Sequence, residues 1–273
     1  MSIFLEPTLP PVVAVILSVL NNEFDQDQLA QVMLNLKDVT LVACSSTELE
    51  AHIQALQYSS RGIEFGETLL LAHEDPHPKL NFYRFERVRR FTDVADWGQF
   101  IVFELHKYVK TPFIILVHAD GFVVHPQKWD DQFLSYDYIG APWPLPKDNF
   151  SYRDHFGNII RVGNSVSLRS KRMLELPSQL KLDWNNADHG FFHEDGFLCV
   201  QHRHTLQEHG IKFPPLDMAC RFARERTIPE NRHIVPFAFH KWQGQNRFYP
   251  KFSQKSTLSA QISKAAKRLS GAR

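Results

Sequence analysis

The run Phe113-Ile-Ile-Leu-Val-His-Ala-Asp-Gly121 ends five apolar residues with a histidine and an aspartate two positions apart. In extended backbone alternate side chains share a face, so His118 and Asp120 can converge on one cation through an imidazole nitrogen and a carboxylate oxygen. Gly121 then lets the chain turn sharply. On spacing alone a plainer alternative carries equal weight, with Asp120 capping a turn and His118 making an ordinary hydrogen bond. A second acidic pair, Glu194-Asp195, opens a helical pattern that runs to Gly210. Carboxylates at a helix N-terminus gain about 0.3–1 kcal/mol, which lowers their pKa and makes them weaker bases.

The elements that must position these groups read as alternating strands and helices. Phe113 to Val117 has no polar alternation, as expected of a strand covered on both faces in a mainly parallel sheet. In such sheets ligands bind beyond the carboxyl ends of the strands, where His118 and Asp120 stand. Val12 to Leu20 reads as a first strand, Phe24 to Leu36 as a helix with Leu29, Val32, Met33 and Leu36 on one face, and Asp38 to Cys44 as a second strand. A helix around Glu48 to Gln57, a short run Thr68 to Ala72, and a helix over Gly98 to Val109 follow. The second half is expected to hold short strands and loops around one better helix, Glu194 to Gly210, with the glycine in the C′ position. There is no G-x-G-x-x-G and no P-loop.

The chain of 273 residues carries 31 basic and 30 acidic side chains, a balance that gives no bulk preference for nucleic acid. The charge is uneven. Lys251, Lys255, Lys264, Lys267, Arg268 and Arg273 occur without an acid among them, so residues 251–273 carry +6 and the rest −5. Three widely spaced cysteines, Cys44, Cys199 and Cys220, lie among apolar neighbours and suit buried thiols in a reducing compartment. The Val12 to Leu20 stretch lacks the basic flank of a signal sequence and is too short to span a membrane. The expectation is a cytoplasmic protein with one domain over residues 1–250 and a basic tail over 251–273.

Four segments carry a resemblance to a known family: Asp137-Tyr-Ile-Gly-Ala-Pro-Trp143, Gly163-Asn164 leading into Ser167-Leu-Arg169, Glu194-Asp195, and Pro236-Phe-Ala-Phe-His240. In this order they resemble a bacterial family of uncharacterised glycosyltransferases of GT-A type, known as domain of unknown function 5672. Asp120 falls where that family carries its metal motif. Two departures stand out: Ser165 and Val166 replace the glycines more usual after Gly-Asn, and the strand-end triplet is His-Ala-Asp.

The resemblance implies a GT-A-like, Rossmann-like α/β sheet binding a nucleoside diphosphate sugar, with Mn2+ or Mg2+ bridging Asp120 and the diphosphate. It places His240 near that metal, with His118 as a further donor, and makes Asp195, with Glu194 beside it, the candidate base for an inverting transfer. Asn21 and Asn22 take the position of the nucleotide base, and Lys241 that of a diphosphate contact. Trp143, Gly163 and Asn164 become sugar contacts. Each has a structural alternative: Trp143 filling the core edge, Gly163-Asn164 forming a turn, Lys241 being solvated, His240 lying in the core.

The acceptor implied is a glycan or a lipid-linked hydroxyl in surface polysaccharide or glycolipid biosynthesis. Leu258, Ile262, Ala265 and Leu269 stand at helical spacing among lysines, so the tail reads as a basic amphipathic helix suited to peripheral contact with an anionic membrane, or as a docking helix or loose end. Two rival functions share the sheet: a sugar-phosphate nucleotidyltransferase, disfavoured by the missing glycine-rich phosphate loop, and a non-catalytic nucleotide or sugar binding module.

Overall fold

Along the central strands successive apolar residues point into two different cores. Val39, Leu41 and Ala43 face one core with Leu70, Ala72, Ile115 and Val117, while Val42 and Cys44 face the other with Leu69, Leu71, Ile114 and Leu116. Burial on both faces is what an unbroken apolar run requires, and it is the reason these strands lie side by side in parallel. The computed structural model describes residues 33–184 and 193–252. Leu34–Cys44 (β1), Ile63–Ala72 (β2), Arg84–Arg87 (β3), Phe113–Val117 (β4), Tyr138–Pro142 (β5) and Val162–Ser170 (β6) form one sheet in the order β3-β2-β1-β4-β6-β5. Neighbours are parallel except β6, which runs antiparallel between β4 and β5. The protein is thus α/β, with a mainly parallel central sheet.

Helices cover both faces. Leu49–Ser59 (α1) buries Ile53 and Leu56 in the first core, and Val94–Phe103 (α2) buries Phe100 and Ile101 in the second. The Asp93 side chain accepts the Asp96 N–H and starts α2 there, four residues ahead of the expected Gly98. After Phe103 the chain tightens into a 3-10 turn over Leu105–Tyr108, so Gly98 to Val109 is not one helix. Beyond β6, Lys171–Gln179 (α3) is capped by Ser170. The expected helix from Glu194 is three pieces: a turn over Glu194–Gly196 (α4), a π turn over Phe197–Gln201, and Arg203–Glu208 (α5). Gly210 has φ +82°, the left-handed value that glycine accepts at a helix end.

The expected helix over Phe24 to Leu36 is corrected at its end. Leu34 and Leu36 are strand residues paired with Ile63 and Phe65, because with Asn35 they continue the alternation of β1. The strand expected at Val12 to Leu20, Asn21 and Asn22, and the amphipathic pattern of the tail lie outside the described residues. Phe252 still packs on the core, stacked on Phe122 with ring centroids 4.8 Å apart. Among the described residues no helix is long and apolar enough to cross a membrane.

Two features of this topology create a site. The chain leaves β1 toward β2 and β3 on one side and returns to β4 on the other, so the strand order reverses between β1 and β4, and a crevice opens beyond their carboxyl ends. The antiparallel β6, with Leu116 opposite Ser167, brings Gly163, Asn164 and Ser165 to the same end. A small parallel pair, Ala223–Arg224 (β7) and Ala238–Phe239 (β8), follows the helix Leu216–Phe222 (α6) and aligns Arg224 with Phe239. The next residues in that register, Glu225 and His240, therefore leave the pair side by side.

Candidate functional site

These chain ends surround a cavity of about 860 Å³. It is lined by Ser45 to Glu48 after β1, His118 to Asp120 after β4, Asn164 and Ser165 from β6, Glu194 and Asp195 from α4, and Glu225, His240 and Lys241 after β7 and β8. The structure thus brings together His118, Asp120, Trp143, Asn164, Glu194, Asp195, His240 and Lys241, although they are spread over more than a hundred residues of sequence.

At one end, His118 and Gly121 close a tight turn through paired backbone bonds of 2.7 and 3.2 Å. Gly121 has no left-handed φ; it is needed because a Cβ there would lie 2.5 Å from Val166 Cγ2 and 2.8 Å from His240 Cδ2. His240 Nε2 stands 3.6 Å from Asp120 Oδ1, and its Nδ1 is 4.0 Å from Glu225 Oε1, with no hydrogen-bond partner. Burial and the adjacent Lys241 push the His240 imidazole down to about 3, so it is neutral and keeps a lone pair. Burial raises the Asp120 carboxyl, opposed by Lys241. The Lys241 backbone N–H donates to Asp120 O at 2.7 Å, and its ammonium lies 3.3 Å from Glu225.

One carboxylate oxygen and one neutral imidazole nitrogen facing each other suit a divalent cation that takes its remaining ligands from elsewhere. Among the described residues no three His, Cys, Asp or Glu side chains are grouped to hold a metal alone. The fit is therefore to a cation shared with a ligand. His118 Nε2 lies 2.8 Å from Ser165 Oγ, and its ring packs between Trp97 and His240.

At the other end, Glu194 and Asp195 are treated differently by their surroundings. Glu194 is 1% exposed and accepts from Arg169 Nη2 at 2.9 Å and Ser165 Oγ at 2.6 Å. Asp195 has no such cation and accepts the Gly196 N–H at 2.8 Å. Burial, with Glu194 adding to it, lifts the Asp195 carboxyl to about 7 against the opposing pull of Gly196 and Arg169. This overturns the expectation drawn from the helix terminus. Desolvation of the carboxyl outweighs whatever the helix terminus contributes.

Trp143 and the Gly163-Asn164 pair are built into the wall. Trp143 is 5% exposed, stacks on Tyr152 at 4.9 Å and 22°, and holds its ring edge against Gly163. The ring expected to meet a sugar is thus engaged by its neighbours, and Tyr152 is the partly exposed aromatic beside it. A Cβ at Gly163 would come within 2.0 Å of Trp143 Cη2. Gly163→Ala is expected to cost about 1–3 kcal/mol by overpacking, measured as a lower urea midpoint with an unchanged slope. Asn164 takes φ +81°, donates its amide to Glu225, and receives the Tyr138 hydroxyl on its carbonyl at 2.5 Å.

Several site residues carry no motif in the sequence. Glu225 shows its role only through the β7–β8 register, and Trp97 only through its place on α2. Arg169 does leave a signal, being a cation at the end of an otherwise apolar and small-residue strand; it is fully buried.

The sequence matches the model of a family described as protein of unknown function (DUF5672) over residues 79–240, more than half of the chain. No curated protein matches it. Among solved structures, the chain is similar to the bifunctional IspDF from Campylobacter jejuni, with 9% identity and a TM-score of 0.36, covering 56% of this chain and 46% of that one. It is also similar to the apo-form glycosyltransferase GlyE of Streptococcus pneumoniae TIGR4, with 10% identity and a TM-score of 0.37, covering 77% of this chain and 56% of that one. The chain thus spans about half the length of each.

Proposed function

The chain belongs to the family described as protein of unknown function (DUF5672), and on that footing we propose that it is a nucleotide-sugar-dependent glycosyltransferase of GT-A architecture. The observation that carries the reading is the pairing, in one switch-point crevice, of a cation-competent Asp120 and His240 with a carboxyl, Asp195, raised to about 7. A donor's diphosphate belongs at the first and an acceptor hydroxyl at the second.

The cavity charge supports a shared Mn2+ or Mg2+. Glu48, Asp93, Asp120, Glu194, Asp195 and Glu225 line it against Arg226 and Lys241, and a bare diphosphate would meet repulsion there. Asp120 and His240 would hold the cation, which when bound supplies charge neutralisation for the departing nucleoside diphosphate. Asp195 takes the proton of the acceptor hydroxyl as its oxygen attacks the anomeric carbon from the face opposite the diphosphate. The anomeric carbon–oxygen bond breaks, its electron pair stays on the β-phosphate oxygen, and the product is inverted. Lys241 is a second positive group for the diphosphate. The acceptor is a glycan or lipid-linked hydroxyl, supported by Leu145 and Phe150, 60% and 70% exposed, with Phe150 also lining the cavity. A reducing compartment such as the cytoplasm suits the three free, buried cysteines.

The test is nucleoside diphosphate release from a panel of nucleotide sugars, with Mn2+ or with chelator, for the native protein and Asp120→Ala. Release from one donor that needs metal and is lost in the variant is the expected result. If every donor is inert and none binds with metal, the reading fails. Diphosphate release from a nucleoside triphosphate and a sugar phosphate would replace it with nucleotidyl transfer.

A further inference from the structure

One chain of hydrogen bonds crosses the cavity wall between the Asp120 and the Asp195 ends, and its donors can be assigned. Glu194 is paired with the buried Arg169, and its Oε1 accepts from both Arg169 Nη2 and Ser165 Oγ. The Ser165 hydroxyl must therefore spend its single proton on Glu194 Oε1, 2.6 Å away. The remaining contact of that oxygen, His118 Nε2 at 2.8 Å, has to be filled by an N–H from the imidazole. A neutral imidazole with its one proton on Nε2 has none on Nδ1. Its Nδ1 thus carries a bare lone pair, on a ring that lines the cavity.

We propose that Ser165 is a positioning residue that locks His118 in the Nε2–H tautomer, so that His118 Nδ1 accepts a hydrogen bond from a hydroxyl of the transferred sugar. The identity of that hydroxyl rests on the glycosyltransferase reading; the tautomer does not. His118 then serves the sugar, standing between the diphosphate end and the base, and is not the third donor to the cation. Ser165 keeps its own backbone in place through Ser167, whose hydroxyl donates to Ser165 O at 2.8 Å and accepts Arg169 Nε at 2.8 Å. The hydroxyl of Ser165 can thus be removed with the strand still anchored.

The experiment has two parts. Long-range nitrogen–proton spectra of the native protein, Ser165→Ala and Ser165→Thr read the tautomer directly. The expected result is Nε2–H for His118 in the native protein, a mixture in S165A, and recovery in S165T. A native Nδ1–H tautomer, or no change in S165A, overturns the assignment. Calorimetry with Mn2+ then compares a nucleoside diphosphate hexose with the nucleoside diphosphate alone. S165A should weaken the first about tenfold, the scale of one hydrogen bond, and leave the second within about twofold. Equal losses for both ligands overturn the sugar contact. If neither ligand binds the native protein, the proposed function and the sugar contact fall together, and the tautomer result stands on its own.

Discussion

Asp195→Asn is expected to lower turnover of the nucleotide sugar by about a thousandfold while nucleoside diphosphate binding stays within a few fold. The amide keeps the shape and can still accept the Gly196 N–H, but it cannot take a proton. The ionised form is the base, so native kcat/KM should rise with pH and level off above about 7, the value to which burial and then Glu194 lift this carboxyl. Stability moves the other way. Between the ordinary 3.8 and about 7 the folded state keeps a proton that the unfolded chain has released, so stability falls as pH rises through that window. Asp195→Asn abolishes this loss, and its melting temperature should gain on the native protein from pH 4 to pH 8. Kinetics and melting across that range check both. Turnover near the native level would remove Asp195 as the base, and a flat difference in melting temperature would remove its raised pKa.

What the sequence made legible follows the reach of each signal. The run Phe113 to Val117 announces a doubly buried strand because both neighbours and both faces leave their mark on the same five residues. That its end lines a cavity was equally readable, since His118 and Asp120 follow directly on the strand. The helix at Phe24 to Leu36 failed at its end because Leu36 fits both a helical stripe and the alternation of β1, and pairing with β2 decides between them. Asp195 was misjudged for a related reason. A helix terminus is local and visible, whereas desolvation comes from β6 and the cavity wall, which only the fold brings near. Glu225 is the limiting case: nothing around it marks a site until β7 and β8 align it with His240.

Arg169→Met is expected to destabilise the protein by about 3–5 kcal/mol, because it leaves Glu194 as a buried carboxylate without its cation. Both side chains are 1% exposed and 2.9 Å apart, so water cannot replace the guanidinium, and the Ser165 hydroxyl is a single neutral donor. The arginine is also packed, with its guanidinium carbon 5.0 Å from the centre of the Tyr138 ring and its Nε bonded to Ser167. Methionine fills much of that volume, which assigns most of the loss to the orphaned charge. Removing both charges tests this. Arg169→Met combined with Glu194→Leu should recover most of the stability, since a well-packed apolar pair of similar volume is often neutral to a protein. Urea unfolding of the native protein, the two single variants and the double variant closes the cycle. Additive losses would show that the pair is not coupled, and that Arg169 acts through packing on Tyr138 alone. Coupling would identify Arg169 and Glu194 as one buried unit, which leaves Asp195, one residue on, without a paired cation.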